Sequence, residues 1–103
     1  MKLSEMKSFE EVLADHLEDP KFRTEWERTA LARAVALRVL GYRIEHGLSQ
    51  TALARLLGVS RSVVTRLEDG EQNPSIDTLT RLSQRLGITF HIDITPEQLT
   101  LAS

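Results

Sequence analysis

Three short segments in the second half of the chain each follow a serine and end at a glycine, and this repeated punctuation constrains the fold more than any other feature. The segments are Gln50–Leu57, Arg61–Asp69 and Ile76–Leu86; they follow Ser49, Ser60 and Ser75 and precede Gly58, Gly70 and Gly87. Serine caps a helix by accepting a hydrogen bond from a first-turn N–H group, and glycine adopts the left-handed backbone that ends many helices. The pattern predicts three short helices. Because only a few residues connect them, neighbouring helices should cross steeply in a compact bundle.

The front of the chain predicts two more helices. An S-x-x-E capping box at Ser8 starts a short helix that reaches about Leu17. Asp19 before Pro20 is an N-cap followed by proline at the first helical position, and it predicts a long helix that runs to about His46. Apolar residues at helical spacing mark the inward side of each helix: Phe9, Val12, Leu13 and Leu17 on the first, and Leu31, Val35, Val39 and Ile44 on the second.

The periodicity changes after Gly87. Apolar and polar residues alternate over positions 88–95, which predicts a strand that ends before Pro96. A lone strand leaves its N–H and C=O groups without partners. We therefore expect it to pair with the same strand of a second copy, antiparallel across a two-fold axis; the alternative is a strand that folds back on its own helices. The side chains of this predicted dimer strand are Ile88, Phe90, Ile92 and Ile94, and a polar tail should follow.

Composition argues against several classes of function. The chain has 103 residues, enough for one domain with an extension, and no cysteine, so neither a disulfide framework nor a thiolate metal site is expected. His16, His46 and His91 lie in different predicted elements and no catalytic motif is present, so we expect no metal, cofactor, small-molecule substrate or enzymatic activity. No stretch approaches the roughly eighteen apolar residues of a membrane span. No membrane partner is expected, and a cytoplasmic location fits.

Charge is distributed unevenly along the chain. The net charge is −2, yet the stretch from Ser49 to Leu67 contains three arginines (Arg55, Arg61 and Arg66) and no acidic residue. Residues 5–19, by contrast, contain six acidic residues and one lysine around the apolar stripe of the first helix. A local basic surface decides contact with a polyanion more than net charge does.

Residues 48–70 combine a packing pattern with an exposed polar face. Leucine and valine recur where two short crossing helices must lock together, and Gly58 permits the tight turn between them. The second helix is then expected to expose Arg61, Ser62, Thr65 and Arg66 near its N-terminus. Such hydrogen-bonding side chains suit the floor of the DNA major groove, where arginine can bind guanine O6 and N7 together.

This block resembles the Xre/lambdoid phage-repressor helix-turn-helix from about Val35 to Gly87. The shared spacing, beginning at Ser49, is S-Q-x-x-L-A-x-x-L-G-V-S-x-S-x-V-x-R-L-E-x-G-x-x-N-P-S. The resemblance implies binding to double-stranded DNA, and a homodimer joined through the predicted strand would place its two recognition helices on a palindromic operator. It implies base contacts by Arg61, Ser62, Thr65 and Arg66, phosphate contacts by Gln50, Thr51, Ser60 and Asn73, and a structural ion pair between Arg43 and Glu68. The family often has asparagine where Asp69 stands, so contacts from residues 69–73 are expected through main-chain N–H groups.

An acidic N-terminal helix before an Xre domain of this size is similar to the HigA-type antitoxins of toxin–antitoxin operons. That resemblance implies a small basic mRNA-cleaving toxin as a partner, bound by Phe9, Val12, Leu13 and Leu17, and repression of the shared operon. In the alternative, the apolar stripe simply packs on the long helix with its acids in solvent. The chain would then be a stand-alone phage-type or metabolic repressor.

The expected fold is mainly α, an Xre-type helix-turn-helix bundle of short helices with one C-terminal strand. Its expected parts are a helical extension at 1–33, the helix-turn-helix domain at 34–87, a dimerisation strand at 88–95 and a tail at 96–103.

Overall fold

The described part of the chain consists of six helices followed by a two-stranded sheet. The computed structural model describes residues 8–102; residues 1–7 of the predicted extension and Ser103 of the predicted tail lie outside that range. The helices are α1 (Phe9–Leu17), α2 (Pro20–Arg28), α3 (Ala30–Glu45), α4 (Gln50–Leu57), α5 (Arg61–Asp69) and α6 (Ile76–Leu86), and the strands are β1 (Ile92–Ile94) and β2 (Leu99–Leu101). The prediction of a mainly helical fold is confirmed.

The three short helices α4, α5 and α6 have the predicted bounds. The hydroxyls of Ser49 and Ser75 cap α4 and α6 by accepting a hydrogen bond from the N–H group three residues later, at 3.0 and 3.1 Å. Ser60 occupies the N-cap position of α5, but its hydroxyl lies 2.9 Å from that of Ser62 and makes no cap hydrogen bond. The serine before each helix and the glycine after it are therefore enough to predict the helix bounds.

The hydrophobic core lies between α3 and the three short helices. Its fully buried large side chains come from all four: Leu31, Val35, Val39, Leu53, Leu57, Val64 and Leu82. Ile44 was expected to join them, but it is 69% exposed. It follows Val35 by nine residues, which turns it about 180° around the helix axis, so that prediction is wrong. Tyr42 packs against the core near that end of α3 instead.

The predicted long helix is divided into α2 and α3 at Thr29. The Thr29 hydroxyl donates to the carbonyl of Glu25 at 3.0 Å, and its backbone leaves the helical region with φ −101° and ψ 17°. The side chain of Asn73 holds the junction: Oδ1 accepts from the N–H of Ala32 at 2.9 Å, and Nδ2 donates to the carbonyl of Arg28 at 3.0 Å. One amide thus satisfies free backbone groups at the start of α3 and the end of α2.

The C-terminal strand finds its neighbour within the same chain. β1 and β2 are antiparallel, with Ile92 opposite Leu101. Thr95 fixes the turn, because its N–H donates to the carbonyl of Gln98 at 2.9 Å and its hydroxyl accepts from the N–H of Gln98 at 3.1 Å. The prediction that the strand needs a second chain as its neighbour is therefore wrong. The prediction of a polar tail is wrong as well, since the L-T-L alternation at 99–101 supplies the second strand.

The strand is also shorter than predicted. Regular pairing begins at Ile92, whereas Ile88 and Phe90 pack against the core in a segment before the strand. Ile88, Phe90 and Ile92 pack against the core, as the alternative of a segment folded back on its own helices predicts, and β2 packs against α3. Ile94, at the far end of β1, is 78% exposed.

Helices α1 and α2 form an N-terminal arm (Phe9–Arg28) beside this core. Neither helix contains a buried residue. The guanidinium of Arg33 on α3 lies 3.4 Å from the centroid of the Trp26 ring and donates to the Trp26 carbonyl at 2.6 Å, and burial lowers the pKa of Arg33. The radius of gyration is 16.0 Å, against about 13 Å for a compact domain of this size, as expected if the arm extends from the core.

None of the helices between Ser8 and Ala102 combines the length and the apolar character that crossing a bilayer requires.

Candidate nucleic-acid interface

The turn between α4 and α5 brings two helix N-termini to one side of the molecule. Gly58 ends α4 with φ 72°, and a Cβ there would lie 3.4 Å from Nη1 of Arg81. That same Nη1 donates to the carbonyl of Leu57 at 3.2 Å, so Arg81 satisfies the C-terminus of α4. Ala54, which is 4% exposed, is the small residue that the sequence places where α5 must approach closely. The turn therefore has little freedom to vary.

Packing leaves one face of α5 open to solvent. Val64 is fully buried and Leu67 is partly buried against the core. The four residues predicted to contact bases lie outside this packing: Arg61, Ser62 and Arg66 are exposed, and Thr65 is half-buried. At 100° per residue they span an arc of about 140°. The structure therefore brings together the four side chains that the sequence singled out.

The electrostatics of this face favour an anion. Neither α4 nor α5 has an acidic residue in its first turn. The N-terminus of a helix is the positive end of its dipole, so Arg61 in the first turn opposes the local preference for acidic side chains. Within the fold, the Arg61 side chain donates a long hydrogen bond to Gln50 at 3.4 Å, and departures from a local rule of this kind are expected at functional sites.

Gln50 connects the N-terminus of α4 to the open face of α5. Its Oε1 accepts from Oγ1 of Thr65 at 3.3 Å and from Nε of Arg61 at 3.4 Å. Its Nε2 donates to Oε1 of Glu68 at 3.5 Å. These bonds are long and therefore weak, so a phosphate oxygen could replace them at little cost. The predicted phosphate contact and the predicted base contacts thus belong to one connected set.

Arg43 and Glu68 form a two-pronged ion pair that ties α3 to α5. Nε and Nη2 of Arg43 donate to the two carboxylate oxygens of Glu68 at 2.9 and 2.8 Å, and Nη1 donates to the carbonyl of Leu48 at 3.2 Å. The hydrogen bond to Glu68 raises the pKa of Arg43, although desolvation opposes it. Arg43 neutralises Glu68, so this acid adds little repulsion for an approaching polyanion.

The remaining residues predicted to contact phosphates differ in whether their side chains are available to bind one. Thr51 and Ser60 are exposed beside the two helix N-termini. Asn73 is not free in the same way, because both ends of its amide already bind backbone groups of the α2–α3 junction. Any contact near Asn73 would therefore come from the main chain. Sequence reasoning missed its role at the junction, and the N-P-S motif was the only signal that singled it out.

Metal binding has no support among the described residues. Between Ser8 and Ala102, no three histidine, aspartate or glutamate side chains lie close enough together to hold an ion. His46, at the end of α3, stacks on the Tyr42 ring with 3.9 Å between the ring centroids.

A helix-turn-helix family model, HTH_3, matches residues 41–92, half of the chain. The chain belongs to the HTH_3 helix-turn-helix family. The HTH_3 match includes α4, α5 and α6, and with them every residue predicted to contact DNA; the N-terminal arm lies outside it.

Three known proteins are similar to a little over half of the chain. An uncharacterized HTH-type transcriptional regulator from Haemophilus influenzae is 36% identical over 59 residues, which are 57% of this chain and 60% of that relative. The crystal structure of an HTH_3 family transcriptional regulator from Vibrio cholerae aligns with a TM-score of 0.54 at 31% identity, over 59% of this chain and 34% of that one. The restriction-modification controller protein C.AhdI from Aeromonas hydrophila aligns with a TM-score of 0.50 at 34% identity, over 56% of this chain and 88% of that one. The chain spans less than two thirds of the Haemophilus relative.

Proposed function

We propose that this chain is a sequence-specific DNA-binding repressor of transcription that acts as a homodimer on a palindromic operator. The observation that carries the proposal is the open face of α5, where Arg61, Ser62, Thr65 and Arg66 lie together and are linked through Gln50 to the N-terminus of α4. Membership of the HTH_3 family supports it, and so does the similarity to transcriptional regulators from Haemophilus influenzae and Vibrio cholerae.

In this proposal α5 enters the major groove and α4 crosses the DNA backbone. Arg61 and Arg66 bind guanine O6 and N7, and the shorter Ser62 and Thr65 contact neighbouring base edges. Gln50, with the N–H groups at the start of α4, holds a phosphate and sets the depth of α5 in the groove. Two copies place their α5 helices about 34 Å apart, one turn of the duplex, and block access of the transcription machinery.

Replacing Gln50 by alanine should weaken binding to operator and to random duplexes alike. The loss of one hydrogen bond to phosphate is worth about 1 kcal/mol, or about fivefold in the dissociation constant. Fluorescence anisotropy with duplexes selected from a random library gives both constants, and Gln98→Ala, which removes an exposed amide from the turn between β1 and β2, is the matched control. A library that yields no enriched, two-fold symmetric sequence would contradict the proposed function itself.

We further propose that the N-terminal arm captures a small basic toxin, and that the operator controls the shared operon. The apolar stripe on α1 remains largely open to solvent. Phe9 is 72% and Val12 39% exposed, while Leu13 and Leu17 are half-buried. Glu10 and Glu11 lie in the first turn of the same helix. An amphipathic acidic helix of this kind fits an apolar groove bordered by basic residues. The alternative packing of the stripe on the long helix is not favoured by these exposures.

The variant Phe9→Ser/Val12→Ser should lose the toxin and keep the operator. Removing two exposed apolar anchors should weaken binding of the basic protein encoded by the adjoining reading frame by at least about tenfold, measured by calorimetry with the purified partner. Leu37→Ser removes a comparable exposed side chain from α3. It should change the dissociation constants for the toxin and for the operator by no more than about twofold. If no adjoining frame encodes a small basic protein, the stand-alone repressor is the better account.

A further inference from the structure

We infer that the surface joining two copies of this chain is the outer edge of β1, in the register that sets Ile92 opposite Ile92 of the second copy. This inference rests on the proposed dimer and adds where and how the two copies meet. The resulting sheet has four strands, in the order β2, β1, β1 of the second copy and β2 of the second copy.

The first argument is the direction of the main-chain groups of β1. The N–H of Ala102 donates to the carbonyl of His91 at 2.7 Å, and the N–H of Thr95 donates to the carbonyl of Gln98 at 2.9 Å. In an antiparallel pair alternate residues face the same neighbour, so His91, Asp93 and Thr95 direct their groups toward β2. The residues between them direct theirs outward. Within residues 8–102, β2 is the only strand that pairs with β1.

The second argument is an apolar groove beside that edge. Ile76 and Leu79 of α6 line a groove of about 410 Å³ together with Phe90 and Ile92. Ile94 shares a face with Ile92, because side chains alternate along a strand, and it projects past the core with 78% of its surface exposed. In the inferred register Ile94 of each copy lies opposite Phe90 of the other. Each exposed isoleucine is thereby placed at the groove of its partner.

The third argument is charge on the opposite face of the strand. A charge in the middle of an edge strand usually keeps two copies apart, and Asp93 occupies that position. In the inferred register Asp93 of each copy lies opposite His91 of the other, in the non-hydrogen-bonded pairs where side chains come closest. A register centred on Asp93 would set two aspartates against each other, which is unfavourable.

The groove and the charges beside β1 favour a second copy as the occupant, because a second β1 brings its own Ile94 to the groove and its own His91 to Asp93. A two-fold interface requires that when residue i contacts residue j, residue j also contacts residue i. Every antiparallel register centred on one residue meets that requirement, and the register centred on Ile92 also sets Phe90 against Ile94 and His91 against Asp93. A two-stranded sheet is marginal alone, and the second copy extends it.

The experiment measures the dimer dissociation constant of the full chain by sedimentation equilibrium. Ile94→Asp should raise it at least about tenfold, because a charge replaces the side chain at the groove. His91→Asp should raise it about fivefold by opposing two aspartates, and His91→Asp/Asp93→Arg should return it to within about twofold of the wild type. Leu37→Ser, which removes an equally exposed leucine from α3 (71% exposed), should leave it unchanged. All four positions are exposed, so these variants should fold.

Three results would overturn the inference. They are a wild-type chain that is monomeric at every concentration, a dimer that Leu37→Ser disrupts and Ile94→Asp does not, and a failure of the double variant to restore association. Titration with a single half-site separates this inference from the proposed function. If Ile94→Asp binds a half-site like the wild type but loses tight binding to the full palindrome, both stand. If the wild-type dimer binds no DNA and Ile94→Asp abolishes that dimer, the inferred interface stands and only the proposed function fails.

Discussion

Arg61→Ala/Arg66→Ala should bind the operator at least about 100-fold more weakly than the wild type and should no longer prefer it to random DNA. Each bidentate arginine–guanine contact contributes about 1–3 kcal/mol of discrimination, and each single variant should therefore lose about tenfold. The two guanidinium groups lie on the open face of α5 and support none of the core. The loss should consequently appear in binding and not in the free energy of unfolding.

Anisotropy titrations at two or more salt concentrations distinguish a base contact by these arginines, as proposed, from a phosphate contact. A base contact relaxes sequence preference, whereas a phosphate contact weakens all sequences alike and lowers the salt dependence. The matched control is Arg23→Ala on α2, which removes the same charge from an exposed pair with Glu27 at 3.1 Å and should change the constant by no more than about twofold. A double variant that still prefers the operator to random DNA would show that neither arginine contacts bases.

Leu53→Ala should lower the free energy of unfolding by about 3 kcal/mol, the typical cost of a cavity left by a buried leucine. Leu53 lies on α4 and is fully buried in the core. The loss is a large part of the total stability of a domain of this size, so the variant should melt at a clearly lower temperature.

Leu56→Ala provides the comparison for Leu53 within the same helix. Leu56 is 40% exposed, so its truncation should cost about 1 kcal/mol or less. Urea denaturation followed by circular dichroism measures both variants with the same two-state treatment. Equal losses at the two positions would contradict the placement of α4 on the core.

Local signals explain why so much of the α4–α6 region could be predicted. A serine cap and a glycine end are read within one helix, so the bounds of α4, α5 and α6 needed no knowledge of the rest of the chain. The open face of α5 also follows from local information, because the buried positions fix which side remains. Val64 is buried, and Ser62 and Arg66 each lie about 160° from it around the helix axis, so they must lie outside. Arg61 is only about 60° from Val64, and its exposure reflects its place at the start of the helix.

Long-range contacts explain what could not be predicted. The break at Thr29 depends on Asn73, whose amide reaches residues 41 and 45 positions earlier in the chain. The hairpin depends on β2, a strand of three residues that is too short for periodicity to detect. Ile44 failed for a different reason, because the helical repeat, which can be read from the sequence alone, already turns it away from the core, and its 69% exposure agrees.

The division of α5 into two faces separates recognition from architecture. Val64 packs in the core and Glu68 binds Arg43, whereas the residues proposed to read bases hold no other helix in place except through the weak bonds of Gln50. A designer could therefore exchange the side chains at positions 61, 62 and 66 for those that read another site without rebuilding the scaffold.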